Sequence, residues 1–96
     1  MNYIVSFSKL SLKQIDKAPK HIREVIKTWA DTVEHFGLPY ARLFKGYHDE
    51  PLKGQRKKQR SVRLNKQWRL IYSENESTQE IEIYILEVTP HDYRIR

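Results

Sequence analysis

Residues Asn2–Phe7 alternate Tyr3, Val5 and Phe7 with Asn2, Ile4 and Ser6, the two-residue period of a short strand with one buried face. Ser8 or Ser11 then caps a short helix whose apolar positions, Leu12 and Ile15, lie three apart. Pro19 ends that helix or opens the next, because its fixed φ and missing N–H suit a first turn. Over residues 19–36 the period changes to that of a helix. Ile22, Val25, Ile26, Trp29, Ala30, Val33 and Phe36 form one apolar stripe, while His21, Arg23, Lys27, Asp31 and Glu34 occupy the remaining, solvated faces. Gly37 is placed to take a positive φ at the end of this helix, and Pro39 blocks its continuation. A short helical turn is expected within residues 38–47, followed by a polar loop at Tyr47, His48, Asp49 and Glu50.

The C-terminal half reads as sheet. Val62 and Leu64 alternate with Ser61, Arg63 and Asn65; Trp68, Leu70 and Tyr72 alternate with Arg69 and Ile71; residues 81–88 form a long β-branched run. Turns are expected at Lys66-Gln67 and over residues 73–79, giving an antiparallel meander covered on one face by the long helix. The expected fold is therefore α+β: an N-terminal strand and two helices packed on a twisted antiparallel sheet. With 96 residues the whole chain, 1–96, is expected to be one domain with a small core.

Charge sharpens this picture. Lys53, Arg56, Lys57, Lys58, Arg60, Arg63, Lys66 and Arg69 are uninterrupted by any acidic residue, and the chain's net charge of +6 leaves the remainder at −2. One basic block on a nearly neutral scaffold is the footprint of a polyanion site. Alternation places Arg63 and Arg69 on the side of the sheet away from Val62, Leu64, Trp68 and Leu70. Two accounts fit them: a shared basic surface, or cross-strand ion pairs with Glu80, Glu82 or Glu87. The absence of cysteine excludes disulfides, thiolate zinc sites and cysteine nucleophiles, and fits a cytoplasmic protein. No apolar run approaches the roughly 18 residues of a membrane span, and the N-terminus lacks the layout of a secretory signal.

His91 and Tyr93 follow Pro90 at the exit from the last strand. Histidine exchanges protons near neutrality, and a tyrosine does so when neighbouring cations lower its pKa. With Pro51-Leu52-Lys53-Gly54, the run Arg60-Ser61-Val62-Arg63-Leu64-Asn65-Lys66-Gln67-Trp68-Arg69-Leu70-Ile71-Tyr72, and Ile85-Leu86-Glu87-Val88 leading to His91-Asp92-Tyr93, the chain resembles the RelE/HigB/ParE superfamily of bacterial type II toxins. The resemblance implies a ribosome-dependent endoribonuclease that cuts translated mRNA, is held inactive by a cognate antitoxin protein, and uses no cofactor. By motif position Lys53 is similar to the family's turn lysine, Arg69 to the arginine after the strand aromatic, Arg63 to a basic strand residue, and His91 and Tyr93 to the C-terminal pair.

The residue inventory agrees with that implication. Metal-dependent nucleases gather carboxylates, and the basic segment contains none, so a metal-free route is expected. In it the 2′-hydroxyl attacks the adjacent phosphorus while a base takes its proton, cations hold the phosphoryl charge, and an acid protonates the departing 5′-oxygen. Lys53, Arg63 and Arg69 are the candidate phosphate stabilisers and His91 and Tyr93 the candidates for proton transfer. Arg56, Lys57, Lys58 and Arg60 are expected to bind RNA, including that of the ribosome, through sequence-independent contacts. Two other functions are compatible with the fold: a ParE-like gyrase inhibitor without chemistry of its own, and a basic nucleic-acid-binding module without toxicity.

Overall fold

The computed structural model describes residues 2–90. Strand β1 (Asn2–Phe7) leads into helix α1 (Lys9–Lys17), the long helix α2 (Lys20–Phe36) and the short helix α3 (Leu38–Ala41). Strands β2 (Glu50–Pro51), β3 (Gln59–Arg63), β4 (Arg69–Glu76) and β5 (Glu80–Thr89) follow, with single 3₁₀ turns at Lys45–Tyr47 and Gly54–Arg56. The sheet has the order β1-β5-β4-β3-β2. Strands β2 to β5 pair antiparallel, as the expected meander does, but β1 pairs parallel to β5 along its whole length, from Asn2 opposite Glu80 to Phe7 opposite Ile85. The sheet is therefore mixed.

Helix boundaries follow local chemistry. Ser8 caps α1, its hydroxyl accepting the Ser11 N–H at 3.0 Å, and Pro19 precedes α2, where its missing N–H costs no helical bond. Gly37 stops α2 with φ of 89°, and a Cβ there would lie 3.1 Å from the Tyr3 ring. This is one position where only glycine fits.

The apolar stripe of α2 is buried from Ile22 to Val33, but its last expected member, Phe36, is 68% exposed. Ile22, Ile26, Trp29 and Val33 lie against Val62, Leu70, Tyr72, Ile83 and Ile85, and the Trp29 and Tyr72 rings sit 5.4 Å apart. Helix α1 differs from expectation. Leu12 is 54% exposed, and the buried residue of this helix is Ser11, because α1 turns its small and polar side toward β5. The expected turn over residues 73–79 is also shorter, since β4 runs on to Glu76: its ladder uses backbone groups and tolerates the polar side chains of Glu74, Asn75 and Glu76. Among the described residues no helix is long and apolar enough to cross a membrane.

Candidate functional site

The core face of β3, β4 and β5 carries Val62, Leu70, Tyr72, Ile83 and Ile85. Period two sends the alternate residues to the far face, and there the register puts Arg63 directly opposite Arg69, and Arg69 opposite Thr89. The next rung of that face holds Ser61, Ile71 and Glu87. The paired arginines are thus cross-strand neighbours, as alternation leads one to expect.

Their environments differ. Arg63 is partly exposed, and no carboxylate forms an ion pair with it among the described residues. Its Nε and the Ser61 hydroxyl are buried without a hydrogen-bond partner among those residues. Arg69 is only 2% exposed, so the first of the two accounts, an open basic surface shared with Arg63, does not hold for it. It lies on the central strand of the sheet, and its Nη1 donates to the carbonyl oxygens of Asn65 at 2.9 Å and Trp68 at 3.1 Å. Those carbonyls belong to the β3–β4 turn, which Asn65 closes by accepting the N–H groups of Gln67 and Trp68, each at 2.8 Å. Two acids of the alternative ion-pair account have partners of their own. Ser6 and Asn75 hold Glu82 and depress its pKa, while Glu87 pairs with Arg56.

A bulge in β5 sets the far face at its C-terminal end. Tyr72 pairs with Ile85 but Ile71 pairs with Glu87, so Leu86 is the extra residue. Without it, alternation beyond Ile85 would send Glu87 into the core and Val88 out of it. Two polar residues of the N-terminal region satisfy the displaced backbone: the Ser8 hydroxyl donates to the Leu86 carbonyl at 2.8 Å, and the Gln14 side chain accepts the Val88 N–H at 2.7 Å.

The basic loop is fastened to this face. Leu52 is buried and its N–H donates to the Gln59 carbonyl at 2.9 Å, Lys53 stands exposed beside it, and Gly54 takes φ of 69° to begin the 3₁₀ turn. Arg56 reaches Gln59 on β3 at 2.7 Å and Glu87 on β5, so it staples the loop rather than waving freely for RNA. Lys57 and Lys58 remain exposed. Arg60, expected to bind RNA, is paired with an acid. It sits opposite Tyr72, on the core side, and its Nε donates to Asp49 Oδ1 at 2.5 Å.

Asp49 is the residue that sequence reasoning passed over as part of a polar loop. Its side chain is 3% exposed and also accepts the Tyr72 hydroxyl at 2.6 Å, with Arg42 Nε at 3.5 Å. Burial, and then the neighbouring Asp49 carboxylate, push the Tyr72 phenol well above its ordinary value, so it stays a proton donor. The only sequence signal was an acid before two rows of arginine. His91 and Tyr93 lie outside the described residues. No group of three or more His, Asp or Glu side chains able to hold a metal occurs among the described residues.

The α+β arrangement of helices on a mixed five-stranded sheet is a known architecture. No protein-family model and no curated protein matches the chain. Among solved structures it is similar to the YoeB/ParE toxin from Agrobacterium tumefaciens, with a TM-score of 0.73 at 16% identity over 93% of this chain and 99% of that one. The archaeal RelE–RelB complex from Pyrococcus horikoshii matches with a TM-score of 0.66 at 26% identity over 100% and 99% of the two chains. The toxin–antitoxin complex RelBE2 from Mycobacterium tuberculosis matches with a TM-score of 0.64 at 20% identity over 93% and 98%. The chain has the RelE/YoeB/ParE superfamily toxin fold.

Proposed function

We propose that this protein is the toxin of a type II toxin–antitoxin pair and acts as a ribosome-dependent, metal-independent endoribonuclease on translated mRNA in the cytoplasm. The observation that carries the reading is the Arg63–Arg69 cross-strand pair on the far face of a sheet whose fold is shared with toxins. Arg63 and the exposed Lys53 are the phosphate contacts. Arg69, buried against the turn, fixes the geometry of that turn and adds positive potential behind Arg63. Lys57 and Lys58 hold ribosomal RNA, and His91 and Tyr93 carry the proton transfers. The 2′-hydroxyl is the nucleophile, so the cut leaves a 2′,3′-cyclic phosphate or its hydrolysis product. A cognate antitoxin binds the protein, as RelB binds RelE in the similar complex.

Primer extension on a message translated in extract tests this: cuts in the presence of wild-type protein, lost in Arg63→Ala and Tyr93→Phe, support it. The burial of Arg69 favours a second reading, a ParE-like gyrase inhibitor that binds without cutting. DNA-damage signalling on expression, with messages intact, would select that reading.

A further inference from the structure

Four aromatic rings run along the surface from the end of α2 to the 3₁₀ turn before β2. Phe36 and Tyr40 lie 5.0 Å apart, Tyr40 and Phe44 5.5 Å, and Phe44 and Tyr47 6.1 Å. Phe36 is 68% exposed, Tyr40 43% and Phe44 49%, while Tyr47 is partly buried and anchors the row against the core. A continuous row of exposed aromatic rings marks a candidate binding surface.

At the end of the row the rings meet the basic face. Phe44 and Tyr47 wall a groove of about 380 Å³ with Lys45, Gly46, Arg63 and Leu64. The lining holds two cations and no carboxylate, and one of the cations is Arg63, whose Nε lacks a partner among the described residues. Gly46 leaves the groove wide, since a Cβ there would meet nothing within 4 Å. A purely apolar occupant would strip water from Arg63 and Lys45 without replacing it. A nucleotide suits both halves of the groove, its base against an aromatic ring and its phosphate against the cations.

We propose that this groove is a base-binding subsite for single-stranded RNA, in which one base stacks on Phe44 and an adjacent phosphate meets Arg63 and Lys45. The inference rests on the endoribonuclease reading and assigns the substrate grip next to its arginine pair. The remaining rings, Tyr40 and Phe36, continue the track along which further bases stack.

Fluorescence anisotropy with a labelled short single-stranded RNA, and the same RNA made abasic at each position in turn, tests the assignment. Phe44→Leu keeps an exposed apolar side chain while removing the ring, and Gly46→Val narrows the groove at a position with open space around it. Each is expected to weaken binding about 5- to 100-fold, the range of one stacked base, with unchanged melting. One abasic position is expected to produce the same loss and to abolish the difference between wild type and Phe44→Leu. Wild-type affinity in both variants, alongside weakened binding by Lys57→Ala/Lys58→Ala, would overturn the subsite and leave the RNA reading standing. Loss of self-association in Phe44→Leu with RNA affinity intact would overturn it in favour of a second copy of this chain. No RNA binding by wild type at any salt concentration would overturn the subsite, while cleavage in a translating extract decides the endoribonuclease reading separately.

Discussion

Arg63 on β3 and Arg69 on β4 are directly paired across the strands, so the sheet holds two guanidinium-bearing side chains opposite each other. Like charges in that relation destabilise a sheet by roughly 0.2–1 kcal/mol, and the unpartnered Arg63 Nε adds to the cost. On the proposed reading, that positive charge holds the substrate phosphate. Arg63→Thr, a strand-favouring neutral replacement, is therefore expected to raise stability by about 0.5–1 kcal/mol while lowering mRNA cleavage by about 10²-fold or more. Urea titration and primer extension on the same preparations check both halves.

Asp49 gathers Arg60, Tyr72 and Arg42 at the other side of the sheet. Asp49→Asn removes the charge that offsets two arginines and is expected to cost about 2–4 kcal/mol, less than for a fully sealed pair because both arginines keep some solvent. The urea midpoint should fall with little change in the slope.

Tyr72 gives a pH signature. Its folded-state pKa lies above the unfolded value of 10.0, so its contribution is complete below pH 10 and is lost as pH rises from there toward the folded-state value. Wild type is thus expected to lose stability above pH 10 more steeply than Tyr72→Phe, and the two curves should converge as the pH rises. Parallel curves in urea titrations from pH 8 upward would contradict the assignment.

Gln14 and the β5 bulge form a further test. Gln14→Ala leaves the Val88 N–H without its acceptor and is expected to cost about 1–3 kcal/mol. Because the bulge aims Glu87, the partner of Arg56, cleavage should fall by more than the stability loss explains. Activity measured well below the melting temperature separates the two effects.

Gly37→Ala should cost about 1–3 kcal/mol, since φ of 89° with ψ of 159° is a region essentially reserved for glycine and the added methyl meets Tyr3. Thermal melting reads this directly.

Local periodicity carried much of the fold. The stripe from Ile22 to Val33, the Gly37 stop and the alternation around Val62, Leu70 and Ile83 each reflect a single element burying one face, which a sequence displays. What it did not display depends on distant partners. Parallel pairing of Tyr3 with Ile81 joins residues at opposite ends of the chain, and nothing in either strand's pattern names the other. Leu12 is one of the two apolar positions of α1, yet it is exposed, because the packing of α1 on β5 selects Ser11. Alternation placed Arg63 and Arg69 together, but the burial of Arg69 follows from turn carbonyls that only the folded Asn65–Trp68 loop presents. Asp49 looked like any loop acid until Tyr72 and two arginines converged on it.

The most direct test is primer extension on a defined message in a translating extract, comparing wild type with Arg63→Ala. Discrete cuts within the translated region, with cyclic-phosphate or derived ends, are expected from wild type and absent from a variant that melts no lower. Full-length message in the presence of folded wild-type protein would contradict the account.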